Sequence, residues 1–237
     1  MQNLDMLKRT FKFAFPKTLP VMTGYLFIGI GFGILLQSKG YSFLWAILMS
    51  VSIYAGSMQY VAVDLLTSGA TLVATALITL MVNARHAFYG ISMLDKFKDA
   101  GSKKPYLIYA LTDETYSLVC SPDIPEDIKP SAYYMVVSAL NQFYWVAGSA
   151  LGGLAGSLIA FDVTGIDFAM TALFVVIFVE QWLGTKQHIP AIVGVLTTTL
   201  CLMTFGPSKF VIPSMVAITL ILTILRKTLT KEVESNA

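Results

Sequence analysis

Long runs without a charged side chain dominate the chain and decide its predicted architecture. These runs cover 18–38, 40–63, 65–84, 130–161 and 187–208. Each is long enough for a transmembrane helix, which needs about 20 residues. A soluble helix or strand would instead interleave charged residues at its own period. We therefore predict an all-α polytopic membrane protein, with a single transmembrane domain over 1–237.

Composition agrees with this class and excludes others. Of the 237 residues, 56% are hydrophobic and 13% are charged, about half the share of roughly 25% that soluble domains carry. The sequence has neither a basic stripe with exposed aromatics nor a Cys/His cluster, so we predict no nucleic-acid partner, no metal site and no cofactor. Cys120 and Cys201 are expected to be small buried thiols, and their spacing gives no support for a disulfide.

Lysine and arginine positions predict the orientation, because cytoplasmic loops carry an excess of both. The clusters are Lys8, Arg9, Lys12 and Lys17; Lys96, Lys98, Lys103 and Lys104; Lys186; and Arg226, Lys227 and Lys231. We place all of them in the cytoplasm, together with an N-terminal segment 1–17 and a tail 226–237. The first apolar run, 19–37, lacks a cleavage pattern and is expected to stay as an outward crossing.

The count of crossings then requires two partial spans. Because 70–92 must return to a basic loop, the segment 41–67 has to enter and leave the membrane on one side. It contains "YAGSMQY", in which Gly56 and Ser57 weaken a helix, so we predict a re-entrant hairpin. The alternative is a full span that breaks the charge rule once. By the same count 105–120, with its acidic "LTDETYSL", is partial or faces water.

The remaining segments complete six spans plus the two partial elements. They are 131–160 outward, 168–184 inward, 189–205 outward and 210–225 inward, with an outer loop at Asp162 and Asp167. The stretches 58–82 and 173–203 share an order of apolar and polar positions and run in opposite senses. This suggests an inverted repeat, although Thr-rich apolar stretches also resemble one another by chance.

The stretch "MVNARHAFYGI" (81–91) places an arginine near the end of an apolar run. Because charge is costly in hydrocarbon, Arg85 is expected to face a cavity or to pair with an acid; the alternative is a shorter helix that leaves it at the interface. The candidate acids are Asp64, Asp113, Glu114 and Glu180. A straight helix would turn Asn83 and Arg85 about 200° apart, so the helix either unwinds here or serves two neighbours.

Four titratable side chains are candidates for carrying a proton. His86 titrates near neutral pH, although a packing histidine is the plainer interpretation. Asp64 and Glu180 each stand alone at the end of an apolar run, where an isolated carboxyl is typical of proton relays. Each could instead mark the point at which its helix meets water. Glu114 is the fourth candidate for carrying a proton.

The predicted hairpin also suggests how a ligand could be held. Ends of interrupted helices expose N–H and C=O groups; N-termini attract carboxylates and C-termini attract ammonium groups. Two broken elements that meet at mid-membrane could therefore hold a zwitterion, and an apolar lining would select an aliphatic side chain. The candidate substrate-binding residues are Ser57, Gln59, Asn83, Arg85, Asp113, Thr115 and Tyr116.

Four stretches carry a resemblance to a known family. They are "YAGSMQYVAV" (54–63), "NARHAFYGISM" (83–93), "ALTDETYSL" (110–118) and "FAMTALFVVIFVEQW" (168–182). In this order they resemble the large subunit of the AzlC-type branched-chain amino-acid export permease family, over roughly 10–205. Asn83, Arg85, Tyr89 and Gly90 match the motif of that family as they stand in this sequence.

The resemblance implies a bacterial inner-membrane permease that exports valine, leucine and isoleucine, with methionine as a further candidate. It also implies a small AzlD-type membrane subunit as partner and transport driven by the proton gradient. A channel-like or accessory membrane subunit remains an alternative. A membrane-embedded enzyme with Ser57 and His86 as nucleophile and base is less favoured, because no orienting acid or oxyanion motif stands at recognisable spacing. We therefore predict that the chain is not an enzyme.

Overall fold

The computed structural model describes residues 2–120, 122–158 and 187–206, together with 168, 171–172, 175, 178–179, 182–183, 210, 213–214 and 216–225. All regular elements in these residues are helices. The chain divides into two compact units, Met1–Thr171 and Ala172–Ala237. Each unit is treated by itself below.

The first unit contains eight α-helices in its described residues. They are α1 (Gln2–Ser38), α2 (Phe43–Ser52), α3 (Gly56–Ser68), α4 (Leu72–Val82), α5 (Ala84–Ser92), α6 (Lys104–Tyr109), α7 (Asp113–Val119) and α8 (Pro130–Leu158), with a short 3-10 helix at Lys98–Lys103 before α6. The second unit contributes α9 (Ile189–Phe205) and α10 (Val216–Leu225).

A close contact between α1 and α8 forms the frame of the first unit. Glycines of α1 lie against glycines of α8, so the two backbones touch. A Cβ added to Gly29 would lie 3.0 Å from the Ser149 amide nitrogen, and one added to Gly148 would lie 2.9 Å from the Leu26 carbonyl oxygen. Small residues permit this close approach of helices in membranes. The contact therefore depends on the absence of side chains along one stripe.

The two helices of this frame run in the same direction. Near their starts, the rings of Phe13 and Tyr133 lie 5.7 Å apart. Near their ends, Gly156 packs against Gln37. Residue numbers at the contact therefore increase in the same direction along both helices. This agrees with the prediction that 19–37 and 131–160 run in the same sense; that this sense is outward stays a prediction.

Several charged loops gather at the end of the frame where α1 and α8 begin, here called the basic end. Arg9 forms an exposed ion pair with Asp127, and the Lys17 ammonium donates to the Asp123 carbonyl at 3.2 Å. The ring of Phe97, in the loop after α5, packs on Tyr134 at 5.6 Å. Within the first unit, the segments that the charge pattern assigned to one side therefore lie together; Lys186 and the cluster at 226–231 lie outside the described residues.

A first broken hairpin, α2–α3, enters from the opposite end. A Cβ on Gly153, near the end of α8, would contact Phe43 at the start of α2. The chain turns after Ser52, and Tyr54 adopts a positive φ of 43° there. On the return, the Tyr60 hydroxyl of α3 donates to the Ile28 carbonyl at 2.7 Å. The break predicted within 41–67 is present, and Gly56 begins the second helix instead of interrupting one.

A second broken hairpin, α6–α7, enters from the basic end. The Tyr106 hydroxyl of α6 donates to the Gln142 side chain at 2.8 Å. The helix ends at Tyr109, and α7 then returns until the Tyr133 hydroxyl donates to the Leu118 carbonyl at 3.3 Å. The segment 105–120 is therefore interrupted, as its acidic centre suggested.

The tips of the two hairpins meet beside the middle of the frame. The rings of Tyr54 and Tyr109 lie 6.1 Å apart, and the Tyr109 hydroxyl donates to the Val51 carbonyl. Tyr25 of α1 and Trp145 of α8, 5.4 Å apart, stand at this level. Two interrupted elements from opposite ends thus converge at one place.

The segment 70–92 is bent where its polar residues begin. Helices α4 and α5 meet at Asn83 with a bend of 42°. Of the two options left open for this stretch, the structure shows the interruption. By length and composition, and among the described residues only, Asp5–Ser38 could cross a membrane as one helix, and the bent pair α4–α5 would be a second.

The first helix begins earlier than the sequence predicted. The separate segment 1–17 and the crossing 19–37 form one helix from Gln2, with Pro16 and Pro20 inside it. Ala14 and Thr18 are fully buried. At 1.5 Å per residue the helix is about 55 Å long, longer than the hydrocarbon core of about 30 Å. Its first turns therefore extend beyond the part that can lie in lipid.

The second unit is described in part. Helix α9 coincides with the predicted crossing 189–205, and the Trp182 ring stacks on His188 with centroids 4.0 Å apart. Several predictions fall wholly or partly outside the described residues: the crossings 168–184 and 210–225, the outer loop at Asp162 and Asp167, the tail 226–237, and the second half of the suggested repeat, 173–203. A single domain over 1–237 stays a prediction.

Replacing Gly33 by alanine is expected to destabilise the protein, because the new methyl group would overlap the Ser149 carbonyl oxygen on α8. Overpacking of this kind costs about 1–3 kcal/mol and should lower the thermal unfolding midpoint of the detergent-solubilised chain. Gly24→Ala is the matched control, since a Cβ there meets nothing within 4 Å. Equal midpoints for the two variants would contradict the packing of α1 on α8.

Candidate functional site

An arginine links the two hairpin tips. Arg85, in the first turn of α5, forms an ion pair from its Nη1 to Oδ2 of Asp113, the first residue of α7. Its Nη2 donates to the Ser57 hydroxyl in the first turn of α3 at 2.9 Å. The side chains of Arg85 and Asp113 are 29% and 26% exposed, so the pair is largely desolvated. Of the four acids considered as partners for Arg85, the structure selects Asp113.

Arg85 has a helix N-terminus beside it and one donor that Asp113 does not use. The N-cap of α3, Ala55, supplies no side-chain cap, so the first N–H groups of that helix present partial positive charge. The guanidinium adds a full positive charge at the same place, against one carboxylate. Its Nε is buried and has no hydrogen-bond partner within the described part of the chain. A planar carboxylate could use this remaining donor.

The carboxyl of Glu114 follows Asp113 in the sequence but has different hydrogen-bond partners. Glu114 accepts a hydrogen bond of 2.6 Å from the Tyr25 hydroxyl, which also lies 2.7 Å from the Thr112 hydroxyl. Thr112 caps α7 by accepting from the Thr115 amide at 3.3 Å. The Asn141 amide group donates to the Thr115 hydroxyl at 3.0 Å. This network joins α1, α7 and α8, and the hydrogen-bond partners that it gives Glu114 are neutral.

Gln59 lies in a neighbouring buried network rather than in contact with Arg85. Its amide donates to the Ser50 hydroxyl at 3.1 Å, and its carbonyl accepts from the Trp145 indole at 2.7 Å. Gln59 and Ser50 are fully buried. The network fastens both arms of the first hairpin to α8. In this structure Gln59 therefore binds Ser50 of α2 and Trp145 of α8. Direct contact of Gln59 with a substrate stays a prediction.

Aromatic residues pack α5, the helix that carries Arg85, against α7. Tyr89 of α5 stacks on Tyr116 of α7 with centroids 4.6 Å apart, and His86 meets Tyr89 edge to face at 5.9 Å. The Ser92 hydroxyl donates to the Tyr116 hydroxyl at 3.2 Å. Tyr116 thus fixes α5 against α7 and keeps Arg85 near Asp113.

The remaining predicted site residues are Asn83, Asp64 and Glu180. Asn83 forms the bend before α5, and its Oδ1 is buried without a partner among residues that the structure describes. Asp64 is exposed on the outer part of α3. Glu180 lies outside the described residues.

Sequence reasoning missed several residues of the site: Tyr25, Tyr54, Thr112, Asn141 and Trp145. Thr112 had a local signal, because Ser or Thr before two acids is typical of a helix N-terminus. The polar side chain of Asn141 inside the uncharged run 130–161 was a second signal. The others look like ordinary apolar positions until their neighbours are known.

Comparisons with known proteins identify the family. The family described as "AzlC protein" matches residues 20–159. A Bacillus subtilis (strain 168) protein named "Branched-chain amino acid transport protein AzlC" is 45% identical over 234 residues, which is 97% of this chain and 92% of that protein. The chain belongs to the AzlC family.

Other relatives of the AzlC family are named as membrane proteins. A Helicobacter pylori (strain ATCC 700392 / 26695) "Uncharacterized membrane protein" is 41% identical over 93% of this chain and 97% of its own length. The Escherichia coli (strain K12) "Inner membrane protein YgaZ" is 25% identical over 72% of this chain and 71% of its own length. No solved structure matches. The chain is accordingly a helical membrane protein of the AzlC family.

Proposed function

We propose that the chain is the large subunit of a secondary carrier that exports branched-chain amino acids in exchange for protons. Within a family that includes a named branched-chain amino acid transport protein, one observation carries the proposal. Arg85 stands between the first turns of α3 and α7, where two interrupted hairpins converge. Interrupted helices that meet in this way are the usual setting for substrate sites in secondary transporters.

The substrate carboxylate would bind at Arg85 and the N-terminus of α3. Both carry positive charge, and Ser57 orients the guanidinium between them. The ammonium group of the substrate would bind Asp113 and the C=O groups at the end of α2. The aromatic rings of Tyr54 and Tyr109 at the tips would contact an aliphatic side chain. These features favour a small apolar zwitterion.

Glu114 is the carboxyl best placed to carry the exchanged proton. Arg85 pairs with Asp113, which leaves Glu114 with the neutral donor of Tyr25. A buried carboxylate that has only neutral partners is costly when charged, so it can gain a proton at moderate cost. Asp64 is exposed on the surface of α3 and lacks this buried setting. His86 and Glu180 remain candidates on the sequence alone.

The proposed arrangement in the membrane is six spans with two re-entrant hairpins and both termini in the cytoplasm. The gathering of basic loops at one end of α1 and α8 supports it. The name of the Escherichia coli relative supports a bacterial inner membrane. Helix α4 has no buried residue, and Leu72 and Leu80 are 88% and 70% exposed. Lipid or a small AzlD-type subunit would cover this surface.

Single cysteines in a variant that lacks Cys120 and Cys201 should report the proposed orientation. Position 39 lies between α1 and α2, and position 102 lies in the 3-10 helix Lys98–Lys103 at the basic end; both are exposed. A membrane-impermeant thiol reagent added to intact cells should label a cysteine at 39 and should label one at 102 only after the cells are opened. Labelling of position 102 from outside would contradict the orientation.

Counterflow tests the transport proposal. Proteoliposomes that contain the chain and its small subunit, loaded with unlabelled valine, should accumulate labelled valine transiently, whereas a pore would not. Arg85→Lys should weaken valine binding by about tenfold or more, since lysine cannot offer a guanidinium fork. Arg9→Lys, at an exposed ion pair, is the matched control. Unchanged valine affinity in Arg85→Lys would remove the carboxylate role of Arg85.

Glu114→Gln should separate exchange from proton coupling. The amide keeps a hydrogen-bonding group for Tyr25 but cannot take up a proton, so valine exchange should persist while accumulation driven by a pH step is lost. Asp64→Asn, at the exposed competing candidate, should keep both activities. If Glu114→Gln still accumulates valine in response to the pH step, the proton is carried elsewhere.

A further inference from the structure

The ion pair between Arg85 and Asp113 leaves some hydrogen-bonding atoms of both side chains unused. It joins one guanidinium nitrogen, Nη1, to one carboxylate oxygen, Oδ2, although both groups could form a paired, two-bond contact. The Nε of Arg85 stays buried without a partner among the residues described. About a quarter of each side chain remains exposed. Asp113 therefore neutralises Arg85 without occupying all of its donors.

We propose that Asp113 is the resident counter-ion of Arg85, which a substrate carboxylate replaces and which then binds the substrate ammonium group. The inference rests on the proposed function and assigns the substrate class of that site. In the empty site the charges of Arg85 and Asp113 cancel. With an amino acid bound, four charges alternate: guanidinium, substrate carboxylate, substrate ammonium and Asp113. The buried net charge is the same in both states.

This conservation of charge excludes molecules that carry only one of the two groups. A carboxylate without an amine would take Arg85 and leave Asp113 buried and unpaired. An amine without a carboxylate would have to compete with Arg85 for Asp113 and would leave the guanidinium unpaired. Breaking a desolvated ion pair in this way is strongly unfavourable. Sites that leave a polar group unpaired reject incomplete ligands by large factors.

Neighbouring side chains make contacts of their own, so Asp113 is the residue that can act as the counter-ion of Arg85. Glu114, the next residue, turns to Tyr25 of α1. His86 and Tyr89, on the same helix as Arg85, pack against each other. Ser57 holds Nη2 of Arg85 at 2.9 Å and can stay bound during the exchange. Asp113 is thus the one anion paired with Arg85 within the described residues.

The test compares leucine with its two halves in the full chain reconstituted with its small subunit. The probes are L-leucine, 4-methylpentanoate, which lacks the amine, and 3-methylbutan-1-amine, which lacks the carboxylate. Neither half should compete with labelled leucine in the unmodified protein. In Asp113→Asn, leucine should bind about tenfold more weakly or worse, and 4-methylpentanoate should bind about tenfold more strongly, since each lost or gained charge contact is worth at least 1.4 kcal/mol.

Asp127→Asn makes the same chemical change at the exposed pair with Arg9 and should leave all three affinities unchanged. A second measurement needs no variant. In the unmodified protein, 4-methylpentanoate and 3-methylbutan-1-amine added together should displace more labelled leucine than expected for independent competitors. The reason is that each one neutralises the charge that the other leaves unpaired. This measurement decides the question if Asp113→Asn does not fold.

The outcomes separate the two proposals. A gain of 4-methylpentanoate binding in Asp113→Asn, or cooperative binding of the two halves, supports the exchange of partners on Arg85. Leucine binding by the unmodified protein without either of these effects overturns the role of Asp113 and leaves the transport proposal standing. Absence of leucine binding and counterflow in the unmodified protein overturns the proposed function itself.

Discussion

The close contact of α1 with α8 is the constraint on which the rest of the first unit depends. Because glycines replace side chains along the contact, two parallel helices can lie backbone against backbone. Tyr25 and Trp145 then face each other across the middle of the frame at 5.4 Å. Each of these side chains holds one hairpin, Tyr25 through Glu114 and Trp145 through Gln59. Separating the two helices would move both tips.

The breaks in the two hairpins leave backbone groups that need partners. Where a break lies in hydrocarbon, these groups have no water to bind and must be satisfied by protein. The Tyr109 hydroxyl supplies the carbonyl of Val51 with a donor, and the Thr112 hydroxyl accepts from the first turn of α7. Tyr54 tolerates a φ of 43°, a conformation that disfavours any side chain. The packing of the buried Tyr54 ring against Tyr109 at 6.1 Å is the contact that can offset this backbone strain.

Charge position along the sequence was sufficient to predict both interruptions but not the site that they form. Lysine and arginine clusters constrain which ends of 41–67 and 105–120 share a side, and the structure breaks both segments. The early start of α1 escaped prediction because the burial of Ala14 depends on α8, which only the folded frame reveals. The partner of Arg85 remained one of four acids for the same reason. Sequence distance does not say which hairpin tip reaches α5.

Two adjacent acids at the start of α7 have different partners, and under the proposed function this difference would couple substrate to proton. Asp113 forms an ion pair with a guanidinium, whereas Glu114 accepts a hydrogen bond from a hydroxyl and has no ion pair that would compensate its buried charge. If Glu114 is protonated, Tyr25 no longer has a carboxylate to donate to and can donate to Thr112 instead, 2.7 Å away. Thr112 caps the same short helix that carries Asp113. A proton on Glu114 would therefore act, through the cap of this seven-residue helix, on Asp113, the residue proposed to pair with the substrate.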